Sequence, residues 1–458
     1  MIRRRYTQRS VFEVLLPDGE KLWTPQLRRM DAILEDEVLV DLVEEALSRR
    51  RPRSRRLGRP STPAEVVLRM LVLKHLYDWT FEECEREVRG SLVHRAFCRI
   101  DCERVPDAKT LVRVGKLLRG EDLKKILGRL VELGVEGGML RGARLRVDTT
   151  VVETNIHYPT DSMLLADGLR VLTRTAKKLV FVFRDRTRSA SRRVYEIAQL
   201  GRRLLQEKAR DRMKAAYQEL MAIVRAAVRD AESVSKKMAG KRVKAKKALR
   251  TRIPVLLGKL RDVIGLIQRV LDQTRARVLK GDTHFPGKLL SLFETHTEAI
   301  RKGKVVKPTE FGKLVKIQEA ENQFVTDYEV CATRIPDHDL WIPSLIAHQH
   351  LFGRSPHLAV ADAGFASKKN ERAAQDMGVR RVVLPIVSKA KKVHSKQRWF
   401  RRGLRWRTGC EGRISTLKRR HGLRRCRYRG SDGMERWVGL GIIANNLEAL
   451  AHTPSPRA

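Results

Sequence analysis

Between residues 143 and 151 the chain changes its period. Upstream, from about 24 to 134, apolar positions recur in short segments at helical spacing. Here "ARLRVDTTVV" sets Ala143, Leu145, Val147, Thr149 and Val151 on one face, the two-residue repeat of a strand. Asp148 interrupts that run. Aspartate is depleted in strands, and burying a carboxylate without a partner is costly. Something cationic must therefore meet it: either a positive group that the fold brings in, or Arg146 or Arg144 beside it on an exposed edge.

Charge narrows what the chain can meet. Its 458 residues are enough for two or three domains with real cores. It carries 96 Lys plus Arg against 53 Asp plus Glu, a net charge of +43. A chain this basic is expected to meet a polyanion, with nucleic acid ahead of an anionic membrane surface. No apolar run approaches the ~20 residues of a membrane span, and the start "MIRRRYTQRSVFEV" lacks the apolar core of an export signal. A cytoplasmic, nucleoid-associated protein is the expectation. Six scattered cysteines suit a reducing compartment. Cys98 and Cys102 form a C-x3-C pair, but no second Cys or His pair stands nearby at zinc-site spacing. His348 and His350 read as ordinary surface histidines.

The first 135 residues read as a helical domain whose tight helix–turn–helix spacing in a basic chain points to DNA binding; a plain helical bundle is the other reading. "STPAEVVLRMLVLKHLYDW" predicts a helix with Thr62 at the N-cap, Pro63 at the first helical position and Glu65 completing a capping box. "TFEECEREV" repeats the device with Thr80 and Glu83, and another helix starts near Asp107. Ahead of them lies "SRRRPRSRRLGRP", with seven arginines within 49–59. Arg50, Arg51, Arg53, Arg55 and Arg56 are its candidate phosphate contacts; a solvated linker is the other reading. From 139, "MLRGARLRVDTTVVETNIHYP" predicts two strands. A helical tract then runs from about Asp167 to Lys280, and 236–252 within it hold nine basic residues and no acid. "EFGKLVKIQEAENQFVTDYEVCA" predicts a hairpin around Glu321 and Asn322. A strand at Leu358–Ala361, a helix, a strand and a last helical region follow. That order is a mixed α/β domain interrupted once: 139–166, an inserted basic helical arm at 167–285, and the remainder at 286–452.

Two further acids share the character of Asp148. Asp362 also ends an apolar strand, ahead of a glycine-containing turn, and strand ends are where sites assemble in α/β sheets. In "RWRTGCEGRISTLKRRHGLRR", read as a helix, Arg407, Glu411 and Lys418 fall on one face. Such a stripe can hold phosphates around an acid, or can be a solvated face with i,i+4 pairs. Three carboxylates on separate elements of a strongly basic chain point to a pair of divalent cations with oxygen ligands, Mg²⁺ or Mn²⁺. Two such ions ~3.5–4 Å apart serve phosphodiester displacement.

"DTTVVETNIHYPTDS", "ADAGF" and the R-x3-E-x6-K helix, in this order, resemble the DDE transposases of bacterial insertion sequences. The "LRMLVLKHLYDWTFEECEREV" region is similar to the helical domain that precedes their catalytic domain. The resemblance implies an RNase H-like catalytic domain with a metal-binding triad at Asp148, Asp362 and Glu411, flanked by Arg407 and Lys418 as DNA contacts. It implies that the chain binds the terminal inverted repeats of its element, cleaves there and joins the end to target DNA, working as a homodimer in a synaptic complex. Two positions depart from the pattern. Leu404 stands where the signature has tyrosine, and Ala363 where many relatives have a basic residue; both bear on DNA-end contacts. A nuclease or resolvase of the same fold, without strand transfer, is the alternative enzyme. A non-catalytic DNA-binding descendant would have lost an acid, and this chain keeps all three.

Overall fold

The computed structural model describes residues 2–6, 22–50, 60–179, 192, 196, 206–239, 253–301, 308–385 and 397–452. They form two compact units, one made of 1–155 with 300–458, the other of 156–299.

Among the described residues the first unit begins with the helices α1 (Pro25–Leu34), α2 (Glu37–Ser48), α3 (Ala64–Leu76), α4 (Phe81–Gly90), α5 (Leu92–Phe97), α6 (Ala108–Gly115) and α7 (Gly120–Glu136). Short polar side chains start most of them. Thr24, Asp36, Ser91 and Asp107 each accept a backbone N–H of the first turn. Thr80 and Glu83 form the expected reciprocal box. The start of α3 differs from expectation: Pro63, not Thr62, is the N-cap, without a side-chain cap bond. Glu65 does not cap; it is buried and pairs with Arg5 and Arg69 at 2.9 Å each. Helix α3 is buried on every side, as a helix must be when it runs through a core rather than over one. Its fully buried Arg69 is satisfied by Glu65, by Asp31 at 2.6 Å and by the Phe97 carbonyl at 3.0 Å.

Residues 139–159 hold one long strand, β1 (Arg144–Thr154), where two were expected. After the second unit come β2 (Glu298–Arg301), β3 (Thr309–Glu319), β4 (Val325–Val330), α11 (Trp341–Phe352), β5 (Leu358–Val360), α12 (Lys368–Asp376), β6 (Arg381–Val383), α13 (Arg398–Arg420), β7 (Arg425–Cys426) and α14 (Ser431–His452). The sheet order is β2-β3-β1-β5-β6, with β4 also on β3 and β7 also on β1. β1, β3 and β4 run antiparallel in turn, whereas β5 and β7 lie parallel to β1, and β6 parallel to β5. The expected hairpin is β3–β4; Asn322 and Gln323 take φ of 55° and 62° at its tip. Leu145, Val147 and Val151 face a core with Trp341 and Leu345 of α11. His348, expected at the surface, is fully buried there and meets the Gly142 carbonyl at 3.0 Å; His350 is exposed. The last helix, α14, buries Leu440, Ile443 and Leu447 in the same core as α1 to α7.

Among its described residues the second unit includes the helices α8 (Asp161–Lys178), α9 (Gln206–Ala239) and α10 (Ile253–Thr274). Leu165, Leu169, Leu220, Val224, Leu260 and Ile267 share its core. Gly168 admits Ile267 where a Cβ would come within 2.7 Å of it. No helix among the described residues is long and apolar enough to cross a membrane.

Gly312 of β3 faces Glu153 of β1, and a Cβ at 312 would stand 2.0 Å from the Val152 carbonyl oxygen. That obstacle is backbone and cannot rotate away. Gly312→Ala is expected to lose about 1–3 kcal/mol of stability, read as a lower urea midpoint with the slope kept. An unchanged midpoint would show that β1 and β3 can separate there without cost.

Candidate active site at the β1–β5 edge

β5 pairs with β1 from Arg144↔Leu358 through Arg146↔Val360. The pairing ends there; continued two steps, it would set Asp148 level with Asp362, on neighbouring strands ~4.8 Å apart. On that side β1 is next joined by β7, at Glu153. Asp148 is half-buried, and its carboxylate accepts the Thr149 N–H at 2.7 Å. Asp362, also half-buried, starts the short turn Ala363–Phe365 and accepts the Gly364 N–H at 2.9 Å.

The third acid arrives on α13, which packs on β1, β5 and β6. An ion pair between neighbouring strands docks it. Arg146, the register partner of Glu319, is buried and gives its Nε and Nη2 to the two Glu319 oxygens at 2.6 and 3.0 Å. Its Nη1 goes to the Trp406 carbonyl of α13 at 2.8 Å, and its guanidinium lies 5.1 Å from the Trp406 ring centre. Gly409 leaves room for it, since a Cβ there would meet Arg146 Nη1. One turn on, Arg413 reaches Glu319 at 3.3 Å and Asn445 at 2.6 Å. Between them Cys410 is buried; burial pushes its thiol well above the ordinary value, with the Glu319 and Asp148 carboxylates adding to the rise.

Glu411, next to Cys410, is turned outward with its side chain 67% exposed, and Arg407 lies 3.6 Å from it. Lys418 follows on the same helix, half-buried. Among the described residues no three His, Cys, Asp or Glu side chains converge at metal-ligating distance. Continuation of the β1–β5 register would bring Asp148 and Asp362 together, whereas Glu411 is carried to the same strands with its carboxylate turned outward. Arg50 is exposed at the end of α2, whereas Arg51, Arg53, Arg55 and Arg56, like most of 236–252, lie outside the described residues.

Two groups went unmarked in the sequence. Glu319 is fully buried at the end of β3, and only the pairing of β3 with β1 gives it Arg146. Asp337 accepts the Thr149 hydroxyl at 3.0 Å from a position 188 residues away. Neither belongs to a local motif, so no spacing rule finds them.

The comparisons add two family models. The transposase domain called DUF772 matches residues 12–117, and the transposase DDE domain matches 368–451. An uncharacterized protein, ORF8 in the nfe locus of Rhizobium meliloti, is 32% identical over 130 residues, which cover 27% of this chain. The match spans 63% of that relative's length. No solved structure matches.

Removing one partner of a buried pair leaves an uncompensated charge, at a cost of about 3–5 kcal/mol. Arg146→Met is expected to lose stability on that scale and to loosen α13, seen as faster amide exchange across 403–413. A variant with wild-type stability and exchange would mean that apolar packing alone holds α13.

Proposed function

We infer that this chain, an insertion-sequence DDE transposase by its two matched family models, binds the terminal inverted repeats of its element and catalyses DNA cleavage and strand transfer there. The observation that supports the reading is the parallel pairing of β1 and β5, whose register, continued two steps, would set Asp148 level with Asp362 beside α13, the helix of Glu411. Three strands antiparallel in turn, with parallel strands on the other side of β1, support an RNase H-like catalytic fold. In this reading the helical unit of 156–299 interrupts that fold, and α1 to α7 form the DNA-binding part.

The residues fit a hard divalent cation. The acids at the site offer oxygen donors only, and Gly364 leaves open a cradle that a Cβ would fill, 3.2 Å from Asp362 Oδ1. Asp148, Asp362 and Glu411 would hold Mg²⁺ or Mn²⁺, and the bound ions would supply charge stabilisation for the attacking and leaving oxygens. Water attacks the phosphodiester at the element's end, the P–O bond to the 3′ oxygen breaks, and a 3′-hydroxyl is released. That hydroxyl then attacks a target phosphodiester, exchanging one P–O bond for another. No protein nucleophile is needed. Arg407 can fork onto two phosphate oxygens, and Lys418 acts as a point charge. The arginines of 49–59 would track the DNA backbone. Synapsis of two ends calls for two copies of the chain. Its place of action would be the bacterial chromosome, in the cytoplasm.

Asp148→Asn, Asp362→Asn and Glu411→Gln are each expected to abolish cleavage of end DNA while leaving end binding intact, and EDTA should do the same to the wild type. Cleavage that survives excess EDTA would remove the cation-dependent reading. Strand transfer is scored in the same assay by supplying a pre-cleaved end, so a nuclease that cannot join is separated from a transposase.

The basic residues have a different signature. Arg407→Lys keeps the charge but loses the fork, and misplaced reactants can cost ~10²-fold in rate. Neutralising the arginines of 49–59 should flatten the salt dependence of binding, by ~0.9 in log–log slope for each phosphate that is no longer neutralised. Normal cleavage by Arg407→Lys and an unchanged slope would make both segments solvated faces.

A further inference from the structure

Asp337 stands where the two stretches that carry Asp148 and Asp362 meet. It opens the short turn Asp337–Leu340 ahead of α11. One of its oxygens, Oδ1, accepts the hydroxyl of Thr149, the residue after Asp148, at 3.0 Å. The other faces the turn after β5: a Cβ built on Gly364 would lie 2.9 Å from Asp337 Oδ2 and 3.2 Å from Asp362 Oδ1. The turn containing Asp337 is itself fastened to the turn after Asp362. Asn370 Nδ2 donates to the His338 carbonyl at 2.7 Å and to the Phe365 carbonyl at 2.9 Å. The Trp341 indole N–H meets the Asn370 carbonyl at 3.1 Å. Asp337 is therefore held in place by groups other than those it touches at the site.

Its charge is the unexpected part. An asparagine would accept the Thr149 hydroxyl equally well, without repulsion. Two carboxylates that approach one point repel, unless positive charge lies beside them. We propose that Asp337 is a positioning residue of the acidic site: it clasps β1 to the turn that holds Asp362, and its charge beside Asp362 strengthens cation binding there. This rests on the reading of Asp148 and Asp362 as the acid pair. It also gives Gly364 a reason, since any side chain at that residue would push the two carboxylates apart.

The two roles separate in two variants of the full chain. Asp337→Asn keeps an acceptor for Thr149 and loses the charge. Mn²⁺ binding, followed by calorimetry in the absence of DNA, is expected to weaken ~10-fold, within the range for groups that support ligands. Cleavage should recover at high Mn²⁺. Thr149→Val keeps the charge and loses the clasp, so Mn²⁺ affinity should hold while single-turnover cleavage at saturating Mn²⁺ falls ~10-fold or more. Thr149→Ser, which retains the hydroxyl, should restore the rate. Wild-type Mn²⁺ affinity in Asp337→Asn overturns the charge role. Thr149→Val that cleaves as wild type, or Thr149→Ser that is equally slow, overturns the clasp. Asp148→Asn and Asp362→Asn are run alongside. If they cleave normally, the acid pair itself is wrong; if they are inactive while the Asp337 and Thr149 variants match wild type, only this proposal fails.

Discussion

A guanidinium can be buried only where its donors and its charge are answered, and Arg146 is answered by two elements at once. Glu319 of β3 takes two of its N–H groups, and the Trp406 carbonyl of α13 takes a third. Arg413, again from α13, returns to Glu319. Desolvating such a group is expensive, and the geometry must be excellent to repay it. That demand fixes where α13 can lie. A slide along the sheet by one turn would take the Trp406 carbonyl from Arg146 and Arg413 from Glu319. Since Arg146 is two residues from Asp148 on the same face of β1, the network that docks the helix also sets the distance of its Glu411 from the strand acids.

The helical first part of the chain is bound into the same unit by different chemistry. Lys74 is buried among Trp437, Phe81 and Tyr428, with its ammonium 4.7, 5.0 and 5.2 Å from the ring centres. Burial lowers its pKa to about 8; the negative faces of the rings stand in for the missing water. Trp437 also donates to the Gly422 carbonyl just past α13, at 2.8 Å. Asn446 of α14 holds both backbone groups of Val325 on β4, at 3.2 and 2.7 Å. The segment expected to be a separate DNA-binding domain therefore shares its core and its polar contacts with the end of the chain. A nucleic acid gripped by α1 to α7 would be held in a set frame relative to the sheet, which favours placing one phosphodiester at the acids.

Local patterns carried the local structure. The two-residue period at 143–151, the Thr80 box, the 309–330 hairpin and the strand ahead of Asp362 all rest on neighbours a few residues apart. Thr62 fell one position short because Pro63, with its fixed φ, serves as well outside the helix as in its first turn. His348 read as exposed because nothing within its own helix shows the Gly142 carbonyl 206 residues away. Asp148 and Asp362 stood out in the sequence because an acid at the end of an apolar strand is anomalous on its face. Glu319 and Asp337 were silent for the opposite reason: an acid in a hairpin strand or at a helix entrance is ordinary until the fold names its partner.

The paired strand acids also bear on how an acidic site can work in a chain of net charge +43. Carboxylates repel phosphate, so the site itself cannot draw in DNA. The wider surface can, because arginines along α13 such as Arg401, Arg402, Arg405, Arg419 and Arg420 are exposed, and their attraction is independent of base sequence. The arginines that dock α13 beside the strand acids are differently employed: Arg146 and Arg413 are spent on Glu319. In the proposed reading exposed cations would gather the polyanion, while the buried cations hold the frame. On the same reading, the negative charge of Asp148 and Asp362 would be offset locally by a bound divalent ion. Salt screens the first of these effects within about 10 Å at 0.1 M and the buried pairs much less. Capture should therefore weaken with ionic strength well before the architecture of the site is touched.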